Sequence, residues 1–595
     1  MNPYTPPQDD MRFLMNDLGM LPRVSKLPGY EEADPELVDA LLTEAGKLSS
    51  EVLAPLNHLG DEQGASFENG VVRTAHGFAD AYQIYVDGGW NGLTCSAEFG
   101  GQEIPALVGT AVLEMFTSAN MAWSLCPLLT VGAIESLENF GSDELKKTYL
   151  PKLVSGEWPG TMNLTEPNAG SDLAELRCRA APENGHYRLK GQKIYISYGE
   201  HDMTENIIHM VLARLPDAPD GTRGISLFLV PKMLVNDDGS LGQRNDLRCA
   251  SLENKLGIHA SPTCVMSYGD NDGAIGYLVG KENEGLKAMF TMMNMARFNV
   301  GLQGVALSER AYQQARDFAK ERIQGRKDGG GPEKVTIVSH PDVRRMLMDI
   351  KSRTEAMRAL AYDTAVEFDI SKRHADKQVR NEARARLDLL TPIIKAWSTD
   401  LGVELTSSAL QIHGGMGFVE ETGVAQHYRD ARIAPIYEGT NGIQARDLVG
   451  RKVLRDRGET AKAYISELRE VADRTARFDA PADAVGRALA SAVQALLQAT
   501  DWLIENGSKS PARAFAGATK YLELFGMVAG GALMARSAIA AIESLAGTPE
   551  NANFYKAKLT SARYYAVHIL PKASSLAVSI CEGADVILEL PEDAF

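Results

Sequence analysis

Apolar residues recur at helical spacing along most of this chain, and one central stretch breaks that rhythm. Residues 1 to 34 are Pro-rich and then mixed. They read as an N-terminal arm with one short amphipathic piece, Met11 to Met15. Residues 35 to 158 are mostly helical: Leu37, Leu41, Leu42 and Ala45 fall on one face, and Ser142 is placed to cap a helix beginning Asp143-Glu144-Leu145. Between 159 and 282 short β-branched and alternating runs take over. Lys193–Ser197, Ile207–Ala213, Ile225–Val230 and Thr263–Tyr268 read as strands, and Pro182-Glu183-Asn184-Gly185 reads as a hairpin turn. Helical spacing returns from 283 to 451, with helices expected over Leu286–Glu321, Pro341–Lys372 and Val379–His413, the first broken by Asp328-Gly329-Gly330-Gly331-Pro332. Residues 452 to 595 form a further helical block, in which Val493, Leu496, Leu497, Thr500 and Leu503 share a face. The expected class is therefore α+β: a helical domain, a middle antiparallel β domain, a second helical domain and an additional C-terminal helical domain. No strand-helix alternation supports a doubly wound sheet.

Composition changes this picture little. The 595 residues are 44% hydrophobic and 23% charged, as in ordinary globular proteins. The formal net charge of -17 argues against a nucleic-acid surface over the whole molecule. The six cysteines are scattered with no C-x-x-C pair, so free thiols, a reducing cytoplasmic compartment and no metal site are expected. The N-terminal residues do not read as a signal peptide, and no uninterrupted apolar run is long enough for a membrane span. The weakly polar stretch Gly526 to Ala541 reads as a buried helix.

Four stretches carry candidate chemistry. Tyr437-Glu438-Gly439-Thr440-Asn441-Gly442 puts one carboxylate on a turn between apolar segments. Partial desolvation there raises its proton affinity and suits a general base. The bland reading makes Asn441 the cap of the next helix, with Gln444 completing a capping box. Leu164-Thr165-Glu166-Pro167-Asn168-Ala169-Gly170-Ser171-Asp172 offers small residues and hydroxyls around backbone N–H groups, or a plain surface turn. Lys193 to Ser197 ends a strand on Tyr195 and Ser197. Gln411-Ile412-His413-Gly414-Gly415-Met416-Gly417-Phe418 permits close approach to the backbone, or ends a helix. There is no G-x-G-x-x-G, P-loop, H-E-x-x-H or G-x-S-x-G.

In this order around a β domain, the T-E-P-x-A-G-S-D, Q-I-H-G-G-x-G-F and Y-E-G-T elements resemble the acyl-CoA dehydrogenase family from about residue 35 to residue 450. The resemblance implies an FAD enzyme that removes hydrogens from the α and β carbons of an acyl-CoA, passes electrons to an electron-transferring flavoprotein and forms a homodimer. It implies Glu438 as base, its backbone N–H helping to hold the thioester carbonyl. Leu164, Thr165, Gly170 and Ser171 match the segment on flavin and pyrophosphate, Tyr195 the ring that packs on the flavin, and Ser197 a hydroxyl bonded to it. Arg322 and Gln324 resemble positions reaching the neighbouring subunit's FAD, as do Gln411, Gly414 and Gly415. Thr440 matches a cofactor contact, Arg297 the Arg lining the CoA tunnel, and Ser261 a CoA-side hydroxyl. Departures from the family pattern are Asn163, Glu175, Asn294, Gly325, the insertion at 329 to 331, Gln426 and the pair Asn441-Gly442.

The extra C-terminal block and the P-Y-T-P-P arm point to a subgroup of larger members; a short- or medium-chain fatty acyl-CoA is the alternative substrate class. A flavin-containing, DNA-binding stress protein would use a basic C-terminal domain, whereas this block is near neutral. An acyl-CoA oxidase would differ in how the flavin is reoxidised.

Overall fold

A computed structural model of the chain describes residues 3–327 and 331–595, so part of the expected glycine-rich break, 328 to 330, lies outside the described residues. The chain divides into two compact units, one formed by 44–105 and 115–299, the other by 1–43, 106–114 and 300–595.

The first unit holds an eight-stranded sheet. Its strands are Gly160–Asn163 (β1), Arg179–Glu183 (β2), His186–Ser197 (β3), Ile208–Arg214 (β4), Ile225–Pro231 (β5), Leu247–Leu252 (β6), Thr263–Tyr268 (β7) and Ala274–Val279 (β8). Their spatial order is β6-β7-β3-β8-β5-β4-β1, with β2 beside β3 and β4. The β2–β3 hairpin turns on Asn184 and Gly185, both at positive φ, as a tight two-residue turn requires. The sheet is mixed, not antiparallel as expected: β1 runs parallel to β4, Gly160 beside Ile208 through Asn163 beside Val211. β1 has no alternating pattern because all four residues are buried. Its Gly160 lies against the Met121–Phe140 helix so closely that a Cβ would sit 2.4 Å from the Ala133 methyl. Ser142 caps the Asp143–Ser155 helix by accepting from the Leu145 N–H at 3.3 Å. A small hairpin, Ser66–Glu68 with Val71–Arg73, interrupts the helical segment.

A buried polar chain crosses this unit. The Tyr268 hydroxyl donates to Asn163 Oδ1, Asn163 Nδ2 donates to Thr161 Oγ1, and the Thr161 hydroxyl is left to donate to His209 Nδ1 at 2.7 Å. In that order His209 Nδ1 accepts from the Thr161 hydroxyl, and Nε2 is buried with no hydrogen-bond partner. Burial, then Lys232, pushes His209 down to about 3, and the same two causes do so for His201. The unfolded chain therefore binds protons that the folded chain refuses between about pH 6.5 and pH 3, so stability is lost as pH falls through that window. Each such histidine contributes up to about 1.4 kcal/mol per pH unit. Urea midpoints of His209→Gln are expected to fall less steeply from pH 7 to pH 5 than those of the parent; parallel falls would rule out a buried neutral His209.

The second unit is helical. Its long elements are the C-terminal part of Gly285–Glu321, then Pro341–Arg373, Lys377–Ile412, Ala482–Gly507 and Ala518–Ala546, within two residues of the expected bounds where these were set by periodicity. Ala518–Ala546 is long and apolar enough to cross a membrane by length and composition, and it is mostly buried inside the protein. The N-terminal arm holds more helix than the one amphipathic piece expected at Met11 to Met15. It is helical over Gln8–Arg12, Phe13–Asp17 and Met20–Val24, and Met11, Phe13, Leu14, Met15, Met20, Leu21 and Val24 are buried. In the Pro35–Lys47 helix the buried stripe runs through Val38, Leu42 and Ala45, and Leu37 faces solvent.

One buried cation organises the unit's interior. The Arg358 guanidinium meets Glu114 at 2.7 Å, Glu309 at 2.7 Å and Asp10 at 3.1 Å, and the Tyr362 hydroxyl donates to Glu114. Lys558 holds the other oxygen of Asp10 at 2.7 Å. Each carboxylate is satisfied by a charged hydrogen bond, which is what makes such burial tolerable.

Candidate active site

The residues singled out in the sequence fall into two groups, one in each unit. In the sheet unit the Leu164–Asp172 loop leaves β1 and is pinned from beneath. Glu166 is buried and accepts from the backbone N–H of Arg177 (2.6 Å) and Cys178 (3.0 Å). The fully buried Lys193 ammonium bonds Glu166 at 2.8 Å and the Leu164 carbonyl at 3.0 Å. Glu166 and Ala169 also exchange backbone hydrogen bonds at 3.0 Å, which throws Gly170 and Ser171 outward.

The same loop meets β3. Against β7 the pairing slips between Cys264 and Met266, so Ile194 and Tyr195 together oppose Val265. The bulge frees the Ile194 N–H for the Thr165 carbonyl at 2.9 Å and turns Tyr195 outward, at φ +62° and 61% exposed. Leu164 and Thr165 are thus brought to the β3 bulge beside Tyr195, and Ser197 lies two residues further on, paired with Thr263 of β7. Ser261 is fully buried with no hydrogen-bond partner for its hydroxyl. Arg297 is half-buried on the Gly285–Glu321 helix.

In the helical unit Glu438 is half-buried at φ +54° in the loop Pro435–Asn441, which the Asn441 N–H closes onto the Pro435 carbonyl at 3.0 Å. A non-glycine residue in the left-handed region is strained, and such strain persists where surroundings enforce it. The Tyr437 hydroxyl donates to Gln303 Oε1 on one side. Burial, then the Glu438 carboxylate, holds that phenol well above its ordinary value. On the other side Gln444 Nε2 reaches the carbonyls of Glu438 (3.4 Å) and Gly439 (3.2 Å). The cap of the following helix is Thr440, whose hydroxyl oxygen accepts from the Ile443 N–H at 3.3 Å. The cap expected at Asn441 is not there, because its side chain is drawn into the Lys377–Ile412 helix by Lys395, Thr399 and Asp400. Gln444 supports the turn's carbonyls instead of completing a capping box.

Two more stretches meet in this unit. His413 stacks on Phe318 with ring centroids 4.4 Å apart, and Gln314 Nε2 bonds the Thr422 carbonyl. This places Gln411, Gly414 and Gly415 near the end of the helix that leads into Arg322 and the exposed strand Ile323–Arg326 with Gln324. Apolar Ile323, Met416 and Phe418 stand exposed here, Phe418 at 87%.

The backbone suits a diphosphate cofactor. A Cβ added at Gly170 or Gly415 would meet nothing within 4 Å, and neither position has a left-handed φ. Nothing inside the chain demands glycine at either position; at Gly170 the bare N–H beside the Thr165 and Ser171 hydroxyls leaves room for a diphosphate. The residues present fit FAD. Sequence reasoning missed Lys193 and Lys395 as supports; the available signal was a lone Lys inside an apolar run, Ile393-Ile394-Lys395-Ala396-Trp397.

A mixed sheet with a flavin-type loop, and a strained carboxylate on a turn between helices, define a class of oxidoreductase: the chain belongs to the acyl-CoA dehydrogenase family, whose members depend on FAD. It matches the family's N-terminal domain over 40–157, middle domain over 161–270 and C-terminal domain over 283–454, and the acetyl-CoA dehydrogenase C-terminal-like domain over 464–591. It is 47% identical over 587 residues to 3-methylmercaptopropionyl-CoA dehydrogenase of Ruegeria pomeroyi, covering 98% of this chain and 99% of the relative. It is 36% identical to a butyryl-CoA dehydrogenase of Syntrophomonas wolfei, covering 94% and 93%. Among solved structures, Caenorhabditis elegans ACDH-11 in complex with C11-CoA shares the fold, with a TM-score of 0.74 at 20% identity over 95% of this chain and 92% of that one.

Proposed function

We propose that the protein oxidises 3-methylmercaptopropionyl-CoA to methylthioacryloyl-CoA, a step in dimethylsulfoniopropionate breakdown. The observation carrying this substrate is the 47% identity to the Ruegeria pomeroyi enzyme over nearly the whole of both chains, extra helical block included. Glu438 takes the α-proton, leaving the electron pair to form the new C=C bond as the β-hydride departs. FAD, when bound, supplies the hydride acceptor at N5 and passes the electrons to an electron-transferring flavoprotein. Thr165, Gly170, Ser171, Tyr195 and Ser197 hold the cofactor, with Thr440 beside the base, and Arg297 faces the CoA. Exposed Arg322, Gln324, Gln411, Gly414 and Gly415 serve a second copy's FAD in a homodimer, which the exposed Phe418 and Met416 support.

The test is anaerobic mixing of the purified yellow protein with 3-methylmercaptopropionyl-CoA, butyryl-CoA and octanoyl-CoA while the flavin absorbance is followed. Fastest bleaching by the methylthio compound supports the reading. At least tenfold faster bleaching by butyryl-CoA would move the substrate to a short-chain acyl-CoA, the second reading, which the 36% relative favours. No bleaching by any thioester, with salt-sensitive DNA binding, would sink both. Air reoxidation at turnover rates would make it an oxidase.

A further inference from the structure

The loop that carries Glu438 is anchored at one residue, and that anchor leads to the C-terminal helical block. Asn441 closes the loop with its backbone N–H and fixes it with its side chain. Oδ1 accepts from the buried Lys395 ammonium at 2.7 Å; Nδ2 donates to Asp400 Oδ1 at 2.7 Å and the Ala396 carbonyl at 3.1 Å and lies 2.9 Å from Thr399 Oγ1. Lys395 can only donate and an ionised Asp400 only accept, so the amide has one permitted orientation. An apolar side chain in place of Asn441 would take a hydrogen-bond partner from each of them.

The anchoring helix, Lys377–Ile412, is held on two sides. A Cβ at Gly301 would meet Ile394 at 2.5 Å, and one at Gly304 would meet the Ser398 carbonyl at 2.1 Å. From the Ala518–Ala546 helix, Gly526 and Gly530 receive the Trp397 ring, where added Cβ atoms would fall 2.4 Å and 2.7 Å from it. Trp397 sits between Lys395 and Asp400 in sequence, so a shift of the ring moves both contacts of Asn441. Packed interiors transmit such shifts because they lack free volume.

We propose that Asn441 is the positioning residue for the base, and that the C-terminal block takes part in catalysis by seating Trp397 and thereby setting the Lys395–Asn441–Asp400 contacts. This rests on Glu438 being the base. Members of the family that lack the block would need another support for this helix.

The test uses the FAD-loaded full chain and measures kcat, KM and the rate of substrate α-proton exchange with D2O. Asn441→Asp sets a carboxylate against Asp400 and is expected to lower kcat and proton exchange by about 10²-fold with KM within threefold and flavin content unchanged, the scale on which small misplacements act. The double variant Asn441→Asp with Asp400→Asn restores a donor–acceptor pair between positions 441 and 400, though not the one to the Ala396 carbonyl, and should recover at least tenfold of that loss. Gly526→Val, which acts only from the C-terminal block, should lower kcat at least tenfold with KM unchanged and holds the test open if Asn441→Asp fails to fold. Parental kcat in folded Asn441→Asp or in folded Gly526→Val, or no recovery in the folded double variant, overturns the proposal. Glu438→Gln run in parallel separates the two readings: α-proton exchange that persists there overturns the base assignment itself.

Discussion

Glu438→Gln is expected to give a folded, yellow protein that no acyl-CoA bleaches. The amide keeps the size of the carboxylate but cannot act as a base. General-base removal alone lowers rates by about 10²–10⁴-fold. Because the electron pair for the new double bond comes from that C–H, single-turnover bleaching should fall by at least the upper figure, with substrate binding retained. A second change at the same position separates activity from stability. Glu438 sits at φ +54°, where an L side chain costs about 1–2 kcal/mol. Glu438→Gly should relieve part of this, offset by the greater freedom of the unfolded chain, so its thermal midpoint should equal or exceed the parent's while turnover is lost. A clearly lower midpoint would mean that the carboxylate holds the loop together and that the strain has another cause.

Lys193→Met is expected to produce the largest structural loss. It leaves the buried Glu166 carboxylate with only the Arg177 and Cys178 N–H groups and leaves the Leu164 carbonyl without its ammonium donor. Removing one partner of a buried pair costs about 3–5 kcal/mol. The defect lies directly under the Leu164–Ser171 loop, so FAD should dissociate at least tenfold more readily, read by flavin release on dilution. The double variant Lys193→Met with Glu166→Gln removes both charges and should regain much of the stability. Equal losses in single and double variants would show that the pair contributes shape, not charge.

Much of the helical architecture was legible from spacing alone. Gly285–Glu321, Pro341–Arg373 and Lys377–Ile412 sustain one period over many turns, and no competing pattern of that length exists. The β2–β3 hairpin was legible because Asn184-Gly185 tolerates positive φ at both positions. What failed was non-local or irregular. β1 is too short and too uniformly buried to alternate, and its parallel pairing with β4 depends on residues nearly fifty positions away. β6 alternates, but the bulge between Cys249 and Ser251 shifts its phase. The small hairpin at 66 to 73 lies inside a helical stretch. At the site, Glu438, Gly170 and Gly415 stood out only through the order of their motifs around the β domain, since local chemistry alone left each of them an ordinary turn or helix end. Lys193 and Lys395 did not, since each matters only through a carboxylate or amide brought to it by the fold. Asn441 was misassigned for the same reason: local rules offered it a capping role, and tertiary partners outcompeted that role.

The Arg358 cluster has a consequence for the order in which the chain becomes native. Asp10 and Lys558 are partners, and Asp17 accepts from the Tyr555 hydroxyl 538 positions later. During synthesis the residues of the sheet unit between 115 and 299 emerge together and can pair as they appear. Met11, Phe13 and Met15 emerge before them and must wait, exposed and apolar, for helices not yet made. A nascent chain is therefore sticky over Met11–Met15 until the Ala552–Tyr564 helix has left the ribosome, which makes this segment a natural client for a chaperone that holds apolar helices.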